Sequence, residues 1–115
     1  MWQCVAGLSG FIAISMGAIA AHVFTMFQLM ALLEKGSLYQ MIHTLAILWL
    51  IGREGCFHAV ARWLFLLGIL LFSGSLYLKA FYYFADIRYS TPAGGLCLLA
   101  GWVALALGPR FGKKA

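Results

Sequence analysis

The chain of 115 residues is 64% hydrophobic and only 10% charged, with a mean hydropathy of +0.96 and a formal net charge of +5. A soluble domain carries about 45–50% apolar and about 25% charged residues, so this composition excludes a water-facing surface around so small a core. The eight Lys and Arg residues are dispersed along the chain, which excludes the clustered cations of a nucleic-acid-binding face. We therefore predict an all-α integral membrane protein.

The first element is an uncharged stretch from Met1 to Leu33. It exceeds the roughly 20 residues that one transmembrane helix needs and predicts a first span over about residues 3–24. No Lys or Arg precedes it, and its apolar part is longer than the roughly 7–15 residues of a signal-peptide core, so we expect a retained span. Residues 25–38 mix apolar side chains with Glu34 and Lys35, which favours an amphipathic interfacial segment at the membrane surface.

Three further apolar stretches predict spans over about residues 39–52, 59–81 and 91–108. Gly52 and Gly55 mark a polar turn between the second and third spans. A loop with Asp86 and Arg88 precedes the fourth span, in which Pro92 suits the first helical turn. The prediction is a single membrane domain over residues 1–115, folded as a bundle of four transmembrane helices.

The distribution of Lys and Arg indicates the orientation of this bundle. With four spans, both termini and the turn after the second span lie on one side of the membrane. That side collects Arg53, Arg62, Arg110, Lys113 and Lys114, and the other side collects Lys35, Lys79 and Arg88. Because loops rich in Lys and Arg stay on the cytoplasmic side, the termini are expected on the cytoplasmic or matrix side.

Small residues recur along the predicted spans at helical spacing. They let a neighbouring helix approach closely and gain dispersion contacts that lipid does not provide. The expected helix-packing residues are the stripe Ser9, Ala13, Gly17 and Ala21, together with Gly74, Gly95 and Gly101. The cysteines are odd in number and lack C-x-x-C spacing, which indicates small packing residues rather than a disulfide framework or a zinc site. They are Cys4, Cys56 and Cys97.

The predicted topology gathers several polar side chains at the end of the bundle opposite the termini. Ionisable groups at membrane depth are costly, which makes them a functional hypothesis. Structural hydrogen bonding, proton or small-molecule handling, and metal or haem ligation remain open for the histidines, although two histidines alone do not complete a zinc site. The candidate polar cluster is His22, Tyr39, His43, Tyr77, Lys79 and Asp86.

Cations on the side of the termini form a second candidate site, for the headgroup of an anionic lipid such as cardiolipin. Ordinary positive-inside anchoring is the alternative. The candidate headgroup contacts are Arg62, Arg110, Lys113 and Lys114. No catalytic or nucleotide-binding motif occurs in the sequence, so we predict no catalytic residue, no metal and no cofactor apart from structural lipids.

Four segments resemble the motifs of a known family and occur in the same order. They are Gly17–His22, Tyr39–Ala46, Phe72–Tyr77, and Thr91–Gly95 followed by Ala100–Trp102. Together they are similar to the small membrane proteins catalogued as domain of unknown function 423, which include transmembrane protein 256. The resemblance implies a compact multi-helix protein of bacterial inner membranes or eukaryotic organelles and brings no settled activity. Residues 23–30 depart from it, since family members usually have a polar stretch there.

We expect this chain to be a structural or accessory subunit of a larger membrane complex and not an enzyme. Its expected partners are other membrane subunits and lipids, with no nucleic acid. The favoured location is a respiratory-chain assembly of the mitochondrial inner membrane, and the bacterial inner membrane is the alternative. Two other functions stay open: a small transporter or channel lined by the polar cluster, and a binding site for a quinone, haem or anionic lipid.

Overall fold

A computed structural model describes residues 1–22, 26–82 and 86–111, with side chains described to residue 108. Within these ranges the chain is helical, without strands. The helices are α1 (Trp2–His22), α2 (Phe27–Leu50), α3 (Cys56–Phe81) and α4 (Ser90–Phe111). The last residues of the predicted first span lie partly outside the described part of the chain.

Three of these helices, α1, α3 and α4, are long and apolar enough to cross a membrane. They correspond to the first, third and fourth predicted spans. Helix α2 is as long as the others but is diluted by Glu34, Lys35, Gln40 and His43. The all-helical membrane architecture follows from these lengths and compositions.

Helix α2 is continuous where the sequence predicted an interfacial segment over residues 25–38 and a short span from 39 to 52. The charged pair Glu34–Lys35 suggested a boundary between the two. Both side chains are exposed, while Leu33 and Gly36 on the opposite face are buried against neighbouring helices. Because packing on that face continues past the charges, the helix continues as well.

The packing places α2 between α1 on one side and α3 on the other, and α4 runs along α3. The core has two parts. The larger contains Ile47, Leu50, Phe65 and Leu98, from α2, α3 and α4, and the smaller contains Ala20, Leu33 and Ala80. Helices α2 and α4 scarcely contact each other along their backbones, so a groove remains between them.

Helix α1 packs on α2 through its small residues. Ala6, Ser9, Ala13 and Ala20 are buried, whereas Ala21, the last member of the predicted stripe, is exposed. A spacing of four residues overshoots a helical turn by about 40°. By Ala21 the predicted stripe has therefore rotated away from α2, and Ala20 takes its place.

The closest helix contact joins α3 to α4 at glycines. Side-chain atoms at Gly94 would overlap the backbone of Phe72, and a Cβ at Gly101 would lie 2.6 Å from Phe65. Gly74 and Gly95, which the sequence grouped with Gly101, have room for a Cβ. The close approach therefore uses the first glycine of the Gly94–Gly95 pair and not the second.

Helix α3 contains a π-helical turn at Ile69–Ser73. Such turns insert an extra residue into an α-helix and are frequent at functional sites. This one faces Gly94 with its backbone, and Ser73 Oγ donates to the carbonyl of Gly36 in α2 over 2.7 Å. The π turn therefore contacts both α2 and α4, the two walls of the groove.

Tryptophans gather at the end of the bundle that carries the α2–α3 turn. The rings of Trp2 and Trp63 meet edge to face at 4.9 Å, and the Arg53 guanidinium lies 3.7 Å from the centre of the Trp49 ring. Because Trp is enriched where the membrane meets water, this end lies at an interface. The turn itself uses positive φ angles at Gly52 and Gly55, which suit glycine.

Candidate functional site

The centre of the bundle holds a network of polar side chains from α1, α2 and α3. Gln40 Nε2 donates to Ser9 Oγ over 3.0 Å, and the Tyr77 hydroxyl donates to Gln40 Oε1 over 2.5 Å. Ser9 Oγ is also 2.6 Å from Thr44 Oγ1. Gln40 and Thr44 are almost fully buried. Each polar group in this network therefore has a partner on a neighbouring helix, which links three helices where water is excluded.

Two serines make further hydrogen bonds between helices, one to a backbone carbonyl and one to another side chain. Ser37 Oγ donates to the carbonyl of Ala13 over 2.6 Å, and Ser75 Oγ is 2.5 Å from Thr91 Oγ1 at the start of α4. Ser37 also lies beneath Gly17, where a Cβ would be 3.2 Å from its hydroxyl. Glycine at position 17 thus leaves space for the Ser37 hydroxyl and its hydrogen bond to Ala13, rather than for a close contact between the two helix backbones.

His43 is buried in the middle of α2, and both ring nitrogens have partners. Nε2 accepts from the Trp102 indole over 3.0 Å, and Nδ1 is 2.6 Å from the carbonyl of Tyr39. Because an indole N–H can only donate, Nε2 carries no proton and Nδ1–H donates to the carbonyl. His43 is therefore held as one neutral tautomer, with no nitrogen open to a metal in this arrangement.

Around His43, aromatic rings form the floor of the groove between α2 and α4, which we call the α2–α4 groove. Its main cavity has a volume of about 660 Å³. An adjoining cavity of about 410 Å³ shares Ile42 and Trp102 with it and reaches Trp49 and Leu105. The main cavity is lined by Tyr39, Ile42, His43, Phe72, Pro92, Gly95, Leu96, Leu98, Leu99 and Trp102.

The predicted polar cluster is dispersed in the structure. Tyr39 and His43 stack at 6.3 Å between ring centroids on the groove side, while Tyr77 belongs to the buried network. His22 is exposed at the last residue of α1. Asp86 is exposed and pairs with Arg88 at 3.0 Å. Hydrogen bonds from the side chain and backbone of Arg88 hold the pKa of Asp86 below its usual range. Lys79 lies near enough to Asp86 to lower that pKa further.

Arg62, a predicted lipid contact, is bound to the protein itself. Its NH1 donates to the carbonyl of Leu50, the last residue of α2, over 3.1 Å, and to that of Arg53 over 3.4 Å. Its Nε is buried without a hydrogen-bond partner among the described residues. Arg62 therefore caps the C-terminal end of α2 by bonding a carbonyl that has no partner within the helix. The side chain of Arg110 and the residues Lys113 and Lys114 lie outside the described part of the chain.

The sequence analysis did not single out Gln40 and Thr44 of the buried network or Trp102 of the groove. Each could have been found from its chemistry, because a buried amide, hydroxyl or indole N–H inside an apolar helix needs a hydrogen-bond partner. The three cysteines are free, and no group of three His, Cys, Asp or Glu residues in the described ranges lies close enough to hold a metal.

Comparison with known proteins places the chain in a family. The family described as "Protein of unknown function (DUF423)" matches residues 16–95. A UPF0382 membrane protein of Haemophilus influenzae is 40% identical over 107 residues, covering 88% of this chain and 86% of the relative. The UPF0382 inner membrane protein YgdD of Escherichia coli K12 is 38% identical, covering 90% of this chain and 84% of the relative.

Relatives of lower identity carry the same family name. A UPF0382 membrane protein of Staphylococcus epidermidis is 34% identical, with 87% of each chain covered. No solved structure gives a significant match. These relatives are bacterial membrane proteins, and none of their names refers to a mitochondrion, a respiratory complex or transport. The chain belongs to the DUF423 family of membrane proteins.

Proposed function

We propose that this chain is a non-catalytic accessory component of a larger assembly in a bacterial inner membrane, with α2 as a fourth transmembrane helix. The main support for the proposal is that the buried polar side chains are hydrogen-bonded within the bundle. Ser9, Gln40, Thr44 and Tyr77 bond to one another across three helices, and His43 is bonded at both nitrogens. Groups occupied in this way stabilise the bundle and leave little polar surface for a reaction.

The same contacts support a transmembrane position for α2. Its polar residues Gln40, His43 and Thr44 face neighbouring helices, while Leu45 and Leu48 are exposed. From Gln40 onward, α2 therefore buries its hydrogen-bonding side chains and presents leucine outward, which is compatible with lipid, while the exposed Glu34 and Lys35 lie nearer its first end. The count of Lys and Arg then favours both termini on the cytoplasmic side.

Helix α1 offers the surface on which another subunit would dock. It packs mainly along α2 and meets α3 through the Trp2–Trp63 ring pair, and its outer face exposes Leu8, Phe11 and Ile14. The relatives named above favour the bacterial inner membrane over the mitochondrial respiratory assembly expected from the sequence, which stays a prediction without support from them.

Native mass spectrometry of the chain, expressed at its natural level and extracted in a mild detergent, tests the proposal. We expect a heteromeric assembly of fixed stoichiometry. The variant Phe11→Ala, on the exposed face of α1, should weaken it, and Leu70→Ala, at a similarly exposed site on α3, serves as the matched control. A lone monomer or a simple homo-oligomer would contradict the accessory role.

Transport is the second candidate function, and the dispersed polar cluster argues against it. A path would have to break the bonds of Gln40 and Tyr77 or separate His43 from Trp102. If the chain purifies alone, His22→Ala and His43→Ala become the first variants for flux measurements in liposomes.

A further inference from the structure

The α2–α4 groove opens sideways at the depth of the membrane. Its α4 wall includes Leu96 and Leu99, which are more than 60% exposed on a helix long and apolar enough to span the bilayer. What meets such an opening is the hydrocarbon of the bilayer rather than water. The groove is also specifically shaped, because its floor combines the π turn of α3 with the hydrogen-bonded pair His43 and Trp102.

The length of the groove matches one leaflet. Along α2 it runs from Tyr39 to Trp49, which is about 15 Å at 1.5 Å per residue. The hydrocarbon core of a bilayer is about 30 Å thick, so one leaflet contributes about half of that. A chain that enters at the Trp49 end would therefore reach Tyr39 near the middle of the membrane.

The lining of the groove suits a hydrocarbon chain. Both cavities are walled by aliphatic and aromatic side chains, among them Ile42, Leu99 and Leu105. The polar nitrogens that His43 and Trp102 contribute to the floor are bonded to each other. The groove therefore offers mainly dispersion contacts, which an acyl chain can use along its whole length.

The Trp49 end of the groove lies at the membrane interface and carries a positioned cation. Arg53 Nε donates to the carbonyl of Trp49 over 2.8 Å, and the guanidinium stacks on the indole ring. The side chain is exposed. Arg62 adds a second positive charge beside it, and exposed Glu54 adds one negative charge, so the described charges at this mouth are net positive.

We propose that the α2–α4 groove binds an anionic phospholipid, with an acyl chain lying along His43 and Trp102 and the phosphate against Arg53. The leaflet-length groove, its aliphatic and aromatic lining and the cation at its interfacial end support the same ligand. Arg53 donates charge-assisted hydrogen bonds to phosphate, while the aromatic floor contacts the chain.

Native mass spectrometry of the purified, delipidated chain titrated with phosphatidylglycerol tests this site. Gly95→Leu fills the groove without a backbone overlap, since a Cβ there meets only Phe72 at 3.9 Å. Gly7→Leu is the matched control, because position 7 is exposed on α1 with open space around it. We expect one lipid bound per chain, binding at least tenfold weaker in Gly95→Leu, and no change in Gly7→Leu.

Two further measurements distinguish a specific lipid site in the α2–α4 groove from nonspecific lipid around the whole protein. Arg53→Gln should remove the preference for phosphatidylglycerol over phosphatidylcholine without abolishing binding. The second measurement uses a variant in which Trp2, Trp49 and Trp63 are each changed to Phe, so that Trp102 is the only tryptophan. Phosphatidylglycerol with brominated chains should quench the Trp102 fluorescence of this variant. Adding Gly95→Leu should relieve the quenching. Equal lipid retention and equal quenching in Gly95→Leu and the parent would overturn the proposal.

Discussion

The indole of Trp102 in α4 donates a hydrogen bond to Nε2 of His43 in α2 over 3.0 Å, across a separation of 59 residues. The two helices otherwise scarcely touch. The second nitrogen of His43 bonds to the carbonyl of Tyr39 one turn earlier, so the imidazole is fixed when the indole reaches it. This bond closes the floor of the α2–α4 groove and sets the distance between its walls.

Removing the donor of this bond should destabilise the bundle. Trp102→Phe keeps an aromatic ring in place but leaves Nε2 of His43 without its partner. Hydrogen bonds between membrane helices contribute about 0.6–2 kcal/mol, so we expect the free energy of unfolding to fall by about 1 kcal/mol. A titration with denaturing detergent measures it. Trp63→Phe, at a ring that is 57% exposed, should change it much less.

The buried network around Gln40 makes a second prediction. Tyr77→Phe removes the donor to Gln40 Oε1 and leaves a buried acceptor unsatisfied, which costs about 1–2 kcal/mol. Tyr89→Phe, at a side chain that is 77% exposed, is the control and should be near neutral. Adding Gln40→Leu to Tyr77→Phe should cost less than the two single changes summed, because both partners are then apolar. Strict additivity would exclude the bond as the cause.

The adjacent glycines of α4 should respond oppositely to the same substitution. Gly94→Ala places a methyl group against the backbone of Phe72, which has to move, and overpacking of this kind costs roughly 1–3 kcal/mol. Gly95→Ala has space and gains helix propensity, worth up to about 1 kcal/mol. Thermal unfolding in micelles would compare the two. If they behave alike, the helices do not approach through Gly94.

Arg62 is expected to be sensitive even to the conservative change Arg62→Lys. One of its terminal nitrogens donates to the carbonyl of Leu50 at the end of α2 and to that of Arg53 in the following turn, and the shorter lysine side chain does not reach as far. We expect a loss of about 1 kcal/mol in stability. Arg88→Lys is the control, since its ion pair with Asp86 is largely exposed and contributes little. Protease protection of the α2–α3 turn provides an independent readout.

Composition and the lengths of the apolar stretches established that lipid surrounds the chain and that it is helical. So few charges in so apolar a chain require lipid around most of it. In lipid every backbone group must be bonded within the protein, which leaves helices and closed barrels, and apolar runs of about 20 residues select helices. The apolar stretches that predicted spans over residues 3–24, 59–81 and 91–108 correspond to α1, α3 and α4. These inferences succeeded because hydropathy and length are local quantities, readable without knowledge of neighbours.

Pairings between helices were decided only by the tertiary structure. The sequence showed His43 and Tyr77 as polar residues near one end, but the rotation of each helix sends His43 to Trp102 and Tyr77 to Gln40. The same rotation selects Ala20 over Ala21 and Gly94 over Gly95. One residue shifts a side chain by about 100° around a helix. Spacing can therefore identify small or polar residues, while the contact each one makes depends on how the whole bundle packs.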